Sequence, residues 1–242
     1  MNPLAQHLDF ANHHANSTPE DIKKLCADVV SHGFHAVFVN AQYVSLAKET
    51  LAGKAPVGTV ISFPLGQDTV SAKMAAANEA VADGADELDV VPNIGLFIAG
   101  DEKAFLYEMN EVVQSAHMIG RPVIVKFILD PGYFDALPDK SAKLARAAEC
   151  VRAAGADFVK IGSGMGPRNP TLEDLKTVVD AVGGTVKIKV AGGIVDRATA
   201  EAFLAGGADR LGTSHAIKIV EEAASSPSGK KSSKGATSSA SE

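Results

Sequence analysis

Apolar residues alternate between two rhythms along the chain. Short β-branched runs predict strands: "HAVFVN" (35–40), "VGTVISF" (57–63), "ELDVV" (87–91), "VIVKFIL" (123–129), "DFVKIGS" (157–163), "VKIKVAG" (186–192) and "RLGTS" (210–214). A shorter run at "HLDF" (7–10) brings the set to eight. Between them lie stretches with apolar residues at helical spacing, among them 18–33, 70–85 and 140–156.

The punctuation supports the same division. Thr18-Pro19-Glu20 offers a cap residue and then proline at the first helical position. The tripeptide Gly-Ala-Asp recurs as "GAD" at 84–86, 155–157 and 207–209, each time where a helix should turn into a strand. A recurring helix-to-strand turn argues for a cyclic βα repeat. Eight such units before position 224 fit the roughly 250 residues of a (β/α)8 TIM barrel. A doubly wound open sheet is the rival, but the glycines of "GSGMG" (162–166) do not have the spacing of a dinucleotide fingerprint. The expected domain is therefore one barrel over 1–223. From 224 to 242 the chain is Ser, Lys, Gly and Ala without apolar periodicity, the composition of a disordered tail.

Composition narrows the partners. The formal net charge of -6 gives no electrostatic reason for a nucleic-acid or anionic-membrane partner. No apolar run approaches the ~20 residues of a membrane span. The start lacks a basic segment followed by an apolar one. Cys26 and Cys150 are far apart, in helical contexts, and read as small core residues in a reducing cytoplasm. His7, His13 and His14 lack the paired spacing of a metal site and read as exposed loop residues.

Four consecutive strands carry charges where a barrel interior should be apolar. They are Asp89, Lys126, Lys160, and the pair Lys187 and Lys189, which share parity and hence a face. Lysines beside an aspartate suit imine chemistry. An amine attacks only when neutral, whereas lysine in water has a pKa of ~10.4. Burial and a neighbouring ammonium both lower it, and a carboxylate supplies proton transfer. The residues alone leave open which lysine attacks. After strands seven and eight, "AGGI" (191–194) and "LGTS" (211–214) lie where barrels bind phosphate through backbone N–H groups.

The segments "EDIKKLCADVVSHGFHAVFVN", "GTVISFPLGQDTVSAKMAAANEAVADGADELDVVPNIG", "GADFVKIGSG", "KVAGGI" and "DRLGTSHAI" carry a resemblance over roughly 1–222. The chain resembles deoxyribose-phosphate aldolase, a class I enzyme joining acetaldehyde to glyceraldehyde 3-phosphate through a lysine Schiff base without a cofactor. The resemblance implies that Lys160 forms the Schiff base, Lys189 depresses its pKa and Asp89 relays protons. It implies that Lys126 lies beside Asp89, that Asp9, Asn40 and Ser163 approach the substrate, and that Gly192, Gly193, Gly212 and Ser214 bind its phosphate. Small phosphorylated sugars and aldehydes are the implied partners, and a homodimer is the expected assembly. The chain departs from the family at Lys160-Ile161-Gly162-Ser163-Gly164, at Asp9-Phe10-Ala11, at Phe38 and at His215, and its end lacks the tyrosine of some members. These departures keep two alternatives in view: an altered acceptor aldehyde, or a weakly catalytic binding protein.

Overall fold

The computed structural model describes residues 2–222. The tail expected over 224–242 lies outside the described residues. Eight parallel strands close on themselves: β1 (Leu8–Asn12), β2 (Ala36–Val39), β3 (Val57–Ile61), β4 (Glu87–Val90), β5 (Ile124–Leu129), β6 (Phe158–Ile161), β7 (Lys187–Ala191) and β8 (Arg210–Thr213). Each pairs with the next, and β8 pairs with β1 through Leu8–Leu211, Asp9–Gly212 and Phe10–Thr213. The eight-stranded TIM barrel read from the sequence is the fold observed.

The outer layer consists of α1 (Pro19–His32), α2 (Val44–Leu51), α3 (Val70–Ala82), α4 (Ile94–Ile98), α5 (Glu102–His117), α6 (Lys140–Ala153), α7 (Leu172–Val182), α8 (Arg197–Ala205) and α9 (Ala216–Glu221). Helix α1 starts where its capping signal predicts. The Thr18 side chain accepts from the Asp21 N–H, and the Asp21 carboxylate accepts from the Thr18 N–H. Its apolar stripe Ile22, Leu25, Cys26 and Val29 is buried against the sheet, and Cys150 of α6 is buried likewise.

The repeated helix-to-strand turn has a specific physical use. Its glycine takes a positive φ, 110° at Gly84, 79° at Gly155 and 107° at Gly207. Its aspartate then clamps the strand next door. The carboxylates of Asp86, Asp157 and Asp209 accept from the N–H groups of Val57, Val125 and Ile188 at 2.9, 2.8 and 2.8 Å. The N–H of each aspartate returns a bond to the carbonyl of the same residue. Three strand starts at the base of the barrel thus lose no polar group to burial.

Side chains alternate along each strand. Val37, Val39, Leu88, Val90, Val125, Phe127, Val159, Ile161, Ile188 and Val190 face the helices and join the main hydrophobic core. The opposite parity points into the barrel. There, instead of branched aliphatic layers, stand Asp9, Phe38, Glu87, Asp89, Lys126, Phe158, Lys160, Lys189 and Arg210, all buried. Lys187 has the same parity but stands exposed at the first position of β7, its amine 5.8 Å from the Phe158 ring centroid.

Candidate active site

Charge dominates the barrel interior, and each charge has a partner. The centre is Asp89, fully buried. Its Oδ2 lies 2.8 Å from the amine of Lys160 and 2.8 Å from that of Lys189. Its Oδ1 lies 3.0 Å from the amine of Lys126. Strand register explains the convergence: Asp89 is opposite Lys126 across β4–β5, and Lys160 is opposite Lys189 across β6–β7.

Beneath this centre runs a second set of pairs. Lys126 also contacts Glu87. Arg210 bonds Glu87 Oε2 at 2.6 Å and lies 2.9 Å from Asp9 Oδ1, while Asp9 Oδ2 is 2.7 Å from Lys189. Three carboxylates (Asp9, Glu87, Asp89) therefore face four cationic side chains (Lys126, Lys160, Lys189, Arg210), all out of bulk water. The set carries one proton more than charge balance requires.

That imbalance sets the titration. Burial alone would raise the Asp89 carboxyl, but the ammonium groups of Lys126, Lys160 and Lys189 outweigh it and hold the group well below its usual range. Glu87 is held low in the same way by Lys126, His35 and Arg210, against its own burial. Burial would lower Lys126, yet Asp89, Glu87 and Asp9 raise it. Lys189 goes the other way: burial, joined by Lys160 and Lys126, outweighs Asp89 and Asp9 and brings it down to about 8. Of Lys126, Arg210 and Lys189, the last alone is displaced toward easier proton loss.

Aromatic rings complete the floor. The Lys189 amine lies 3.5 Å from the Phe38 ring centroid, and Lys126 lies 4.9 Å from it. Phe38 lies across the barrel because Gly58 leaves it room; a Cβ at 58 would come within 2.3 Å of the ring. Gly212 clears space in turn for the Lys189 stem, 3.1 Å from where a Cβ would stand.

A cavity of about 240 Å³ opens above, at the C-terminal ends of the strands, where barrel enzymes do their chemistry. Lys160 and Lys189 form its floor; Ser163, Gly164, Gly192, Gly193, Gly212, Ser214 and His215 form one side, and His13, His14 and Phe63 another. Gly192, with φ 99°, permits close backbone approach: a Cβ there would come within 3.0 Å of the Gly164 Cα.

Seven of the expected site residues thus line one cavity: Lys160, Lys189, Ser163, Gly192, Gly193, Gly212 and Ser214. Asp89 lies directly under its floor, bonded to both lysines. Asp9 and Lys126 lie lower, fully buried, and their partners are other charges rather than the cavity. Asn40 stands outside the lining, half-buried at the end of β2. Glu87 and Arg210 did not figure among the expected residues. Their signal was present in part, since Glu87 shares parity with Asp89, but each opens its strand and reads as a surface residue. His13 is a correction: it is not an exposed loop residue but half-buried on the cavity wall, its ring 5.5 Å from that of Phe63. His7 and His14 are exposed. Among the described residues no group of three or more His, Cys, Asp or Glu side chains is placed to hold a metal ion.

The profile of the family described as DeoC/LacD family aldolase matches residues 4–214. The chain belongs to this family. It is an aldolase, a carbon–carbon lyase of the class I type, in which a lysine Schiff base carries the reaction. Deoxyribose-phosphate aldolase from Thermococcus gammatolerans is 40% identical over 223 residues, covering 91% of this chain and 96% of that one. The enzyme of the same name from Clostridioides difficile is 38% identical over 221 residues, covering 91% and 97%. Among solved structures, the aldolase QR15 superposes with a TM-score of 0.84 at 34% identity, over 91% of this chain and 96% of that one. Tetrameric deoxyribose phosphate aldolase from Aeropyrum pernix gives 0.80 at 29% identity, over 90% and 89%.

Proposed function

We propose that the chain cleaves 2-deoxy-D-ribose 5-phosphate reversibly to acetaldehyde and D-glyceraldehyde 3-phosphate, with Lys160 as the Schiff-base lysine. One observation carries the choice of Lys160. Of the two amines at the cavity floor, it is held by a single carboxylate, Asp89, at 2.8 Å. Lys189 is pinned by Asp89, by Asp9 at 2.7 Å and by the Phe38 ring. A nucleophile must leave its resting contacts to reach a carbonyl, and Lys160 has fewer to leave.

The steps follow from the arrangement. Lys160, once neutral, adds to C1 of the open-chain sugar, and loss of water gives a protonated imine. The proton of the C3 hydroxyl passes to the Asp89–Lys189 pair. The C2–C3 electron pair moves toward the iminium nitrogen, releasing glyceraldehyde 3-phosphate and leaving an enamine. Protonation at C2 and addition of water then return Lys160 and acetaldehyde. Asp89, held ionised by three ammonium groups, and Lys189, near 8, are suited to accept and return that proton. Gly192, Gly193, Gly212 and Ser214 would take the phosphate through backbone and hydroxyl contacts. No cofactor enters these steps. Homodimeric assembly and a cytoplasmic setting belong to the same reading, and the sizing profile of the purified protein tests the first.

A second reading keeps the imine but changes the acceptor. Apart from Lys160 and Lys189, the cavity lining among the described residues holds no lysine or arginine, and His215 stands beside Ser214 at the expected phosphate end. That favours an acceptor without a phosphate. One assay separates the two: cleavage of deoxyribose 5-phosphate, coupled to triose phosphate detection, beside cleavage of unphosphorylated deoxyribose. The first reading predicts at least a tenfold preference for the phosphate ester in kcat/KM; equal rates or a reversed preference overturn it.

A further inference from the structure

His13 is a polar side chain on the cavity wall with an unmet hydrogen-bonding requirement. Its Nδ1 is buried and meets no hydrogen-bond geometry among the described residues, although the Asn40 side chain lies close enough to the ring to interact with it. One side of the ring is fixed by Phe63, at a centroid distance of 5.5 Å and an interplanar angle of 46°. The loop that carries it is fixed too: the Asn12 side-chain oxygen accepts from the His14 N–H and from the Ser17 hydroxyl. A buried ring nitrogen left without a partner is costly, and it is expected where a ligand supplies the missing bond.

The same cavity holds Lys160. Burial and the Lys160 charge push the His13 imidazole down to about 3. It is therefore neutral at any ordinary pH, with one ring nitrogen to donate and one to accept. A neutral imidazole suits a hydroxyl better than a phosphate dianion.

The imine intermediate offers two hydroxyls. The one on C3 gives its proton to the Asp89–Lys189 pair during bond cleavage. The one on C4, which becomes the 2-hydroxyl of the departing aldehyde, takes no part in the chemistry and needs a partner in a confined site. We propose that His13 hydrogen-bonds this hydroxyl and so selects acceptor aldehydes that carry a hydroxyl beside the carbonyl. The assignment rests on the Schiff-base reading of Lys160 above. It makes His13 a specificity-determining residue that touches the substrate. A site built to bond a hydroxyl rejects the analogue lacking it, because its own polar group is then left unpaired.

The test is a matched acceptor pair in the synthetic direction: acetaldehyde as donor with D-glyceraldehyde or with 3-hydroxypropanal, which lacks only the 2-hydroxyl. Wild-type enzyme should favour D-glyceraldehyde in kcat/KM by at least about tenfold, the net worth of one good hydrogen bond. His13→Leu should lower that ratio about tenfold, and His13→Asn should hold it within about threefold of wild type. A ratio unchanged in His13→Leu, in protein with wild-type circular dichroism, overturns the assignment. So does an equal slowing of both acceptors. Cleavage of deoxyribose 5-phosphate by wild-type enzyme is measured alongside. Normal cleavage with an unchanged ratio strikes only the His13 assignment, whereas no turnover of any substrate removes the aldolase reading and this one with it.

Discussion

Lys160 and Lys189 lie opposite each other across the β6–β7 ladder, and both reach the same atom, Oδ2 of Asp89, at 2.8 Å. One carboxylate oxygen between two amines forms a bridge along which a proton can move from the attacking lysine to its neighbour. The surrounding cluster has one cation too many, and once Lys189 gives up its weakly held proton it can take the one that Lys160 must lose before attack.

The pH profile of catalysis should show this. Lys189 stands near 8 rather than at its ordinary 10.5. With one surplus proton to lose, kcat/KM should rise with pH through that region and level off above it. Lys126→Met removes a cation that helps push Lys189 down, so its rising limb should move to higher pH. Asp89→Asn breaks the bridge and should cost about 10²–10⁴-fold in kcat. A profile flat from pH 6 to 9 in wild-type enzyme contradicts this ordering of the charges.

Packing around Phe38 gives a stability prediction. Gly58→Ala drives a methyl into the ring, since a Cβ would stand 2.3 Å from it. Overpacking of this kind costs about 1–3 kcal/mol, seen as a lowered melting temperature. Phe38→Ala in the same chain removes the clash, so the double variant should lose less than the two single losses added together. Additive losses would mean that ring and glycine do not meet.

The clamp at the base of the barrel is separable from the site above. Asp157 accepts from the Val125 N–H at 2.8 Å. Asp157→Ala leaves that N–H unpaired, at a cost of about 1–3 kcal/mol. Chemical denaturation should show the loss, while kcat per folded molecule should stay within about twofold of wild type. A comparable fall in kcat would tie the turn to the chemistry.

Acid sensitivity follows from His13. Unfolded, it takes up a proton near 6.5; folded, it resists until about 3. Below pH 6.5 the unfolded chain therefore binds more protons, so stability is complete above that pH and is lost as pH falls toward 3. Asp89 and Glu87, both depressed, add their own losses lower down, from about pH 4. Melting temperatures of wild type and His13→Leu between pH 7 and 5 should diverge, with the variant the flatter of the two. Parallel curves would show that the histidine is free to protonate in the folded protein.

The strand set and barrel closure were legible in the sequence because β-branched runs and the repeated Gly-Ala-Asp turn both mark local structure. Strand ends were less legible. The reading of 157–163 overran β6 (Phe158–Ile161) at both ends, because the glycine loop that follows carries the chain off the sheet. Asp89, Lys126, Lys160 and Lys189 stood out as charges in apolar runs. Lys187 has the right parity yet stays exposed, since it opens its strand at the base. Glu87 and Arg210 open theirs too and are nevertheless buried, because they find each other across the barrel at 2.6 Å. Parity specifies a face but not a depth, and depth depends on partners far away in sequence. His13 lies in a segment without periodicity, and only the closed barrel brings it over the cavity.

Borohydride reduction in the presence of acetaldehyde, followed by peptide mass analysis, tests the central claim most directly. Reduction of the imine should fix one ethyl group, and only on the peptide containing Lys160; Lys160→Arg should abolish the label, while Lys189→Arg should reduce its yield without moving it. An ethyl group on Lys189 in wild-type enzyme, or full labelling in Lys160→Arg, would contradict the account.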